Sequence, residues 1–473
     1  MKSAISEFLK GNYSYSDGQD PQEEILRELS YAKSVNPRPQ KVTLIIPSSP
    51  QIPTPGREFL LTGPFEGFTY IATLIKKMGY RLQVIDCRLK ENIKEFIIEE
   101  IYDASIIGIA AYMDSFIFLQ EITALIKEKY PEKLIFLGGS LISSLPELIL
   151  SQTDADCALL GEAELTLVEF LHKYFQTKVF DYKDIKGMAY KKNGAVIINP
   201  ARPQIKNLDN LPLLDYTIWP NFQSIIDNGQ TLISSTRGCP MECSFCFKTI
   251  PALRMKSLER FEEEVAVLKE KTKFDYTWLN DLTFNIDETR AMRVAEIMKK
   301  YDVRYHCFAR VAKFSGALAD KLKDTGCLGV WFGMESYNQD VLNYNGKKTS
   351  IKEINNTARI AENAGLAVRG LFIVGLYGET KASLQGMLDF IRQSKFLPLA
   401  KYLVPFPGTA LYKYAVQSGK ISDPVRFLKM LSKRKIRDYD DEIINLTDLK
   451  ENVLRYYFRR IWDITDRREK WFQ

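Results

Sequence analysis

The sequence predicts an α/β protein built in series: an N-terminal doubly wound, Rossmann-like domain, then a partial (βα)6 barrel, then a short helical C-terminal region. Three observations carry that reading. Short runs of Val, Ile and Leu alternate with helix-patterned segments from residue 41 onward; the rhythm lapses between about residues 181 and 229; it resumes at residue 231. Continuous apolar strands separated by helices imply parallel sheets covered by helices. At 473 residues the chain also exceeds the roughly 250–300 residues at which a single core stops growing.

Residues 1–38 are polar, then helix-patterned over 21–35, and end at N-P-R-P, so they are expected to form an N-terminal extension. The first domain, residues 39–180, opens on V-T-L-I-I (42–46), followed by a Pro/Ser/Gly-rich loop and a helix over 67–78. R-L-Q-V-I-D (81–86), S-I-I-G-I-A-A (105–111), K-L-I-F-L-G-G (133–139) and C-A-L-L-G (157–161) continue the strands, with helices over 116–130, 145–151 and 165–174. Ligands of such sheets bind outside the carboxyl ends of the strands, which here are the loops 47–56, 111–115, 138–145 and 161–164. Residues 181–229 read as a structured connector with hairpin-like pieces, since they are neither Gly/Ser-rich nor charge-dense.

The second series, residues 230–410, begins at T-L-I-S-S (231–235). Its later strands are expected over 276–279, 304–308, 329–332, 368–374 and 401–404. Residues 411–473 are mostly helical and charged, and S-K-R-K (432–435) before D-Y-D-D-E (438–442) reads as a solvated face.

Composition narrows the function. Sixty-five Lys and Arg against 59 Asp and Glu give a net charge of +6, too small for this length to argue for a nucleic-acid partner. No apolar run reaches the ~18–20 residues of a membrane span, and the first fifteen residues lack a signal-peptide pattern, so a cytoplasmic location is expected. Seven cysteines, an odd number, suit a reducing compartment, where a local cluster binds metal or does redox work.

Three of the seven fall within T-R-G-C-P-M-E-C-S-F-C-F (236–247): Cys239, Cys243 and Cys246, spaced C-x3-C-x2-C directly after the first strand of the second series. Clustered thiolates select zinc or iron–sulfur centres. Structural zinc and an ordinary four-iron cluster both want four protein ligands. The next donors, His306 and Cys307, stand some sixty residues away and keep zinc as an alternative; without them one coordination position stays open for catalysis. Cys87, Cys157, Cys307 and Cys327 are isolated, which argues against a second cluster.

The loop, with Pro240 after the first cysteine and Phe245 before the third, resembles the radical S-adenosylmethionine (radical SAM) superfamily. G-M-E-S (333–336) is similar to the family's strand segment near the nucleoside ribose. G-L-Y-G-E-T (375–380) is similar to its G-x-P-G-E-T segment, with Tyr377 in place of Pro. W-L-N-D (278–281) stands where members hold the methionyl amine. The resemblance implies that Cys239, Cys243 and Cys246 ligate a [4Fe-4S] cluster whose fourth iron chelates S-adenosyl-L-methionine. Phe245, Asp281, Arg310, Glu335, Ser336, Arg369 and Gly375 are implied around that cofactor, Arg310 and Arg369 as candidates for its carboxylate. It implies reductive cleavage to a 5′-deoxyadenosyl radical that abstracts hydrogen from a small-molecule substrate, with a reductant such as flavodoxin or ferredoxin. Glu335 and Glu379, taken alone, read equally as salt-bridge or cap residues.

The first domain resembles the cobalamin-binding domain of one radical SAM subclass. The order of its Pro-rich loop, G-G-S-L-I-S-S-L-P-E (138–147), G-E-A-E (161–164) and N-L-D-N-L-P-L-L-D (207–215) carries that likeness, as does P-F-P-G-T (405–409) after the barrel. Tyr112, Ser115, Gly138, Gly139, Ser140, Gly161 and Glu162 are implied at cobalamin, whose lower face would meet residues 111–115. Neither histidine lies in a D-x-H-x-x-G, so no imidazole ligand to cobalt is expected; His172 reads as a surface residue and His306 as facing the barrel interior. The subclass implies C-methylation of an unactivated carbon, with dehydration, cyclisation or rearrangement as the alternative outcome. Trp278, Phe308 and Trp331 read as substrate-facing or core aromatics.

Overall fold

The computed structural model describes residues 21–31, 38–48, 63–88, 93–176, 182–227, 231–248, 250, 252–272, 274–434 and 442–469. Most of the loop 47–56 and of the charged stretch 435–442 lies outside the described residues, as do residues 1–20. The chain divides into two compact units: residues up to 228 with 254–256 and 428–434, and residues 229–253, 257–427 and 435–473.

Among the described residues, the first unit is built on a seven-stranded sheet. Its strands are β1 (Lys41–Ile46), β2 (Arg81–Asp86), β3 (Ile106–Ala110), β4 (Leu134–Gly138), β5 (Cys157–Leu159), β6 (Met188–Lys192) and β7 (Ala195–Ile198), in the order β2-β1-β3-β4-β5-β6-β7. Strands β1 to β5 pair in parallel. All five residues of β3 and all but the first of β1 are buried, as continuous apolar runs covered on both faces must be. The chain adds β2 on one side of β1 and β3 on the other, so the sheet has its switch point between β1 and β3, where a crevice opens at the strand ends.

Three details differ from the sequence reading. The hairpin β6–β7, placed in a connector by its irregular pattern, continues the sheet antiparallel to β5, so the first sheet is mixed. A helix over Ile93–Glu100, which the sequence reading omits, follows β2; the helix expected at 145–151 is present as Pro146–Ser151, and a further short helix, Ser140–Ser144, lies in the stretch read as the loop 138–145 and stops before Pro146. His172 is buried rather than at the surface, because its helix, Glu164–Gln176, also buries Leu165, Leu167, Val168, Phe170 and Leu171.

The second unit carries a parallel sheet of β8 (Leu232–Ile233), β9 (Tyr276–Leu279), β10 (Arg304–Ala309), β11 (Cys327–Glu335), β12 (Ala367–Val374) and β13 (Leu397–Tyr402). Its spatial order is the order of the sequence, as repeated βα units curling into a partial barrel require. The outer strand β13 does not remain an open edge: helix Glu451–Glu469 lies on it, stacking Phe458 on Tyr402 at 3.9 Å and donating from Thr465 Oγ1 to the Pro398 carbonyl at 2.7 Å. Burial alternates along these strands. In β12, Val368, Gly370, Phe372 and Val374 are buried while Ala367, Arg369, Leu371 and Ile373 are half-buried, so one face is under helices and the other stays partly open.

Candidate functional site

The cysteine loop leaves the end of β8 under tight control. The buried Asp281, just beyond β9, accepts from Thr236 N at 2.5 Å, from Ser235 N at 3.3 Å and from both residues' hydroxyls. Bonds of this kind to a carboxylate contribute about 1.5–3 kcal/mol each. They hold the backbone three residues before Cys239, so Asp281 acts on the loop itself. Gly238 follows with φ of 90°, and a Cβ there would stand 2.1 Å from the Ala252 carbonyl oxygen; only glycine fits. Phe245 occupies the turn between Cys243 and Cys246, closed by Cys246 N donating to the Cys243 carbonyl at 3.1 Å.

Asn345, fully buried and about a hundred residues on, ties the loop down. Its carbonyl accepts from Ser244 N and its Oδ1 from Ser244 Oγ, both at 3.0 Å, while its Nδ2 donates to the Tyr377 carbonyl at 2.9 Å. It thereby joins the cysteine loop to G-L-Y-G-E-T. Asn285, also buried, donates to the Arg310 and Ala312 carbonyls and accepts from Arg310 N, fixing the chain beyond β10. Neither asparagine was legible as a site residue, because its partners are distant in sequence.

Cys239 is buried, Cys243 half-buried and Cys246 exposed, and all are free thiols. Although Cys246 has surface open to solvent, the protein around its thiol shields it, and that burial, then the neighbouring cysteines, pushes the thiol up to about 11. Burial raises Cys243 as well, against the pull of Lys347 and Arg310. Cysteines whose thiolates would repel one another suit a cationic centre that drives off their protons. Among the described residues no three His, Cys, Asp or Glu side chains converge to hold one metal ion. The proposed zinc donors do not help: His306 lies on the open face of the sheet, bonded through Nδ1 to Tyr276 Oη at 2.8 Å, and Cys307 is buried on the opposite face beside Cys327.

Around the loop stand several residues expected at S-adenosylmethionine. Glu335, at the end of β11, has φ of 62° at an irregularity in the ladder and pairs with Lys347 at 3.0 Å. A non-glycine residue held there is strained, as functional positions often are. Ser336 is fully buried and its Oγ is unpartnered; Arg310 donates from Nη2 to the Lys348 carbonyl at 2.7 Å and leaves a buried Nε unpartnered. Orphaned polar atoms of this kind are what a polar cofactor would satisfy. Gly375 N donates at 2.6 Å to Glu379, whose burial lifts its carboxyl to about 8 although Gly375 and Leu376 amides both favour the anion.

Arg369 does not join this group. As the third residue of β12 its guanidinium lies 5.0 Å over the Trp331 ring, on the open face with Tyr276, Trp278, His306 and Phe308. Trp278 stacks on His306 at 4.8 Å and meets Trp331 edge-on at 4.9 Å. Burial and the Arg369 charge hold the His306 imidazole down to about 4, so it is neutral near pH 7.

In the first unit, residues expected at cobalamin collect where β3, β4 and β5 end. Gly139 has φ of 124°, and a Cβ would meet the Ala111 carbonyl oxygen at 2.9 Å; Ala111 N in turn donates to the Gly138 carbonyl at 2.6 Å. Gly161 N donates to Ser143 Oγ at 3.0 Å, with open space where its Cβ would be. The loops at 111, 138 and 161 thus form a close-set glycine cradle. Tyr112 packs against Phe65 in a tilted pair with ring centroids 4.6 Å apart, Ser115 donates to the Tyr112 carbonyl at 2.8 Å, and the Ser140 carbonyl accepts from Ser144 Oγ. Glu162 is turned elsewhere: both oxygens accept from Arg254 at 2.8 Å, and one also accepts from Ile205 N.

Comparison with known proteins agrees with both halves. Residues 233–391 match the radical SAM superfamily model and residues 58–171 the B12 binding domain model. An uncharacterized methyltransferase of Pyrococcus horikoshii is 28% identical over 397 residues, covering 79% of this chain and 85% of that one. The bacteriochlorophyllide d C-8(2)-methyltransferase of Chlorobaculum tepidum is 24% identical over 61% of this chain and 64% of its own. The fold is similar to that of the radical S-adenosylmethionine methyltransferase TsrM of Kitasatospora setae, with a TM-score of 0.66 at 16% identity over 81% of this chain and 79% of that one. The chain belongs to the radical SAM enzymes that carry an N-terminal cobalamin-binding domain. The radical SAM domain implies a [4Fe-4S] cluster and S-adenosylmethionine as cofactors, and the B12 binding domain implies cobalamin. No described helix is long and apolar enough to cross a membrane.

Proposed function

We propose that this enzyme is a methyltransferase that uses cobalamin and S-adenosylmethionine to methylate an unactivated carbon of a small molecule. The observation that carries the reading is the pairing of two sites in one chain: a three-thiol loop with no fourth cysteine beside it among the described residues, and a glycine cradle at the strand ends of a B12 binding domain. The methyltransferase names of the relatives support the outcome. When bound, these groups supply a 5′-deoxyadenosyl radical for hydrogen abstraction and a transferable methyl.

The protein's part is orientation and exclusion of water. Cys239, Cys243 and Cys246 hold the cluster, on a loop positioned by Asp281 and Asn345. Arg310 and Ser336 offer their unpartnered polar atoms to S-adenosylmethionine, and Lys347 keeps Glu335 in place at the end of β11. On the open sheet face, Trp278, Phe308 and Trp331 favour a flat substrate, and Arg369 an anionic one. A reductant of the flavodoxin or ferredoxin class supplies the electron.

The test needs no substrate. Anaerobically reconstituted protein is incubated with methyl-labelled S-adenosylmethionine under reducing conditions, and its corrinoid is extracted. Near-stoichiometric cobalamin carrying the label is expected. Protein that is free of cobalamin yet forms 5′-deoxyadenosine would remove methyl transfer and leave a non-methylating radical enzyme.

A further inference from the structure

Tyrosines 344, 377 and 414 come together at the surface of the second unit. They are 63%, 39% and 40% exposed, with Tyr377 6.5 Å from Tyr344 and 5.2 Å from Tyr414 between ring centroids. Single exposed aromatics need no explanation, but a contiguous group does.

This group is attached to the cysteine loop by all three of its segments. Asn345, next to Tyr344, accepts from Ser244 N; Tyr377 accepts through its carbonyl from Asn345 Nδ2; and Leu411 N, on the helix that carries Tyr414, donates to the Ser244 carbonyl at 3.1 Å. Ser244 lies between Cys243 and Cys246, so the patch is one residue layer from two of the three thiols. The same segments expose Lys348, Lys381 and Lys413, with Lys420 just beyond, against the exposed carboxylates Asp340 and Glu242. Lys347 is committed to Glu335, and Glu379 is buried.

We infer that this tyrosine patch with its lysine rim is the docking surface for an acidic one-electron carrier protein. The inference rests on the cysteine loop being a redox centre. An aromatic centre with a charged rim is the usual build of a transient interface, in which rim charge sets the encounter rate and its salt dependence. At each docking the carrier's reduced cofactor loses one electron and the cluster gains one; no covalent bond is made or broken in that transfer.

The probe is a bacterial flavodoxin titrated calorimetrically into the reconstituted enzyme at low and moderate salt. Wild type is compared with the double variant Lys381→Glu/Lys413→Glu and with Tyr414→Ser. Binding is expected to weaken with salt and to fall at least tenfold in both variants, whereas 5′-deoxyadenosine formation driven by dithionite, which needs no docking, stays within about twofold of wild type. Wild-type affinity in both variants, no binding by wild type, or self-association of the enzyme that the substitutions abolish would each overturn the inference. Wild type that fails even with dithionite would instead sink the redox reading of the loop.

Discussion

The two sheets are both parallel in their main run, yet they present ligands differently. The central strands of the first, β1 and β3 to β5, are buried along nearly all their length, β3 completely, so the loops at their ends are what is free to meet a ligand. Those of the second alternate, buried against helices at Phe332 and Phe372 and half-open at Trp331 and Arg369, so both the strand ends and a sheet face are available. The difference lies in covering: a sheet with helices on both faces has only its edge of loops, while a sheet curling into a partial barrel keeps an inner face. A cofactor held by backbone suits the first, and a cluster, its cosubstrate and a substrate suit the second.

That contrast can be broken one side at a time. The larger effect is expected from Gly139→Val, which forces a side chain into the left-handed region and onto the Ala111 carbonyl. Retained cobalamin should fall at least tenfold while iron per protein stays at the wild-type level; loss of both together would mean that the sites are not separately built.

Glu379→Gln has a smaller effect, read through pH. The carboxyl of Glu379 is raised by burial to about 8 from an ordinary 4.5, so between those values the folded protein holds a proton that the unfolded chain releases. Its contribution is therefore fully present below about pH 4.5, is lost as pH rises, and levels off above about 8. Thermal melts should show wild type losing stability over that window more than Glu379→Gln; parallel curves would refute the assignment.

Much of this was legible in the sequence. The strand positions of both sheets follow from apolar runs, and the cysteine loop from its spacing. What escaped depends on contacts far apart in the chain. Asn345 meets Ser244 across 101 positions, and nothing local distinguishes it from a helix-end asparagine. Arg369 looked like a cofactor ligand by residue type, but strand register seats it against Trp331. The hairpin β6–β7 read as connector because its alternation is weak, and only its pairing with β5 makes it part of the sheet. His172 looked exposed because a polar residue near a helix end usually is, whereas this helix is buried on most sides.

Both the proposed reaction and the proposed docking surface require Cys239, Cys243 and Cys246 to hold an iron–sulfur cluster with one open position. The most direct measurement is metal analysis with 5′-deoxyadenosine detection on anaerobically reconstituted wild type and Cys243→Ala. About four irons per wild-type chain, with product formation that the substitution lowers at least a hundredfold, is the predicted result. Stoichiometric zinc without iron, or undiminished 5′-deoxyadenosine in Cys243→Ala, would contradict it.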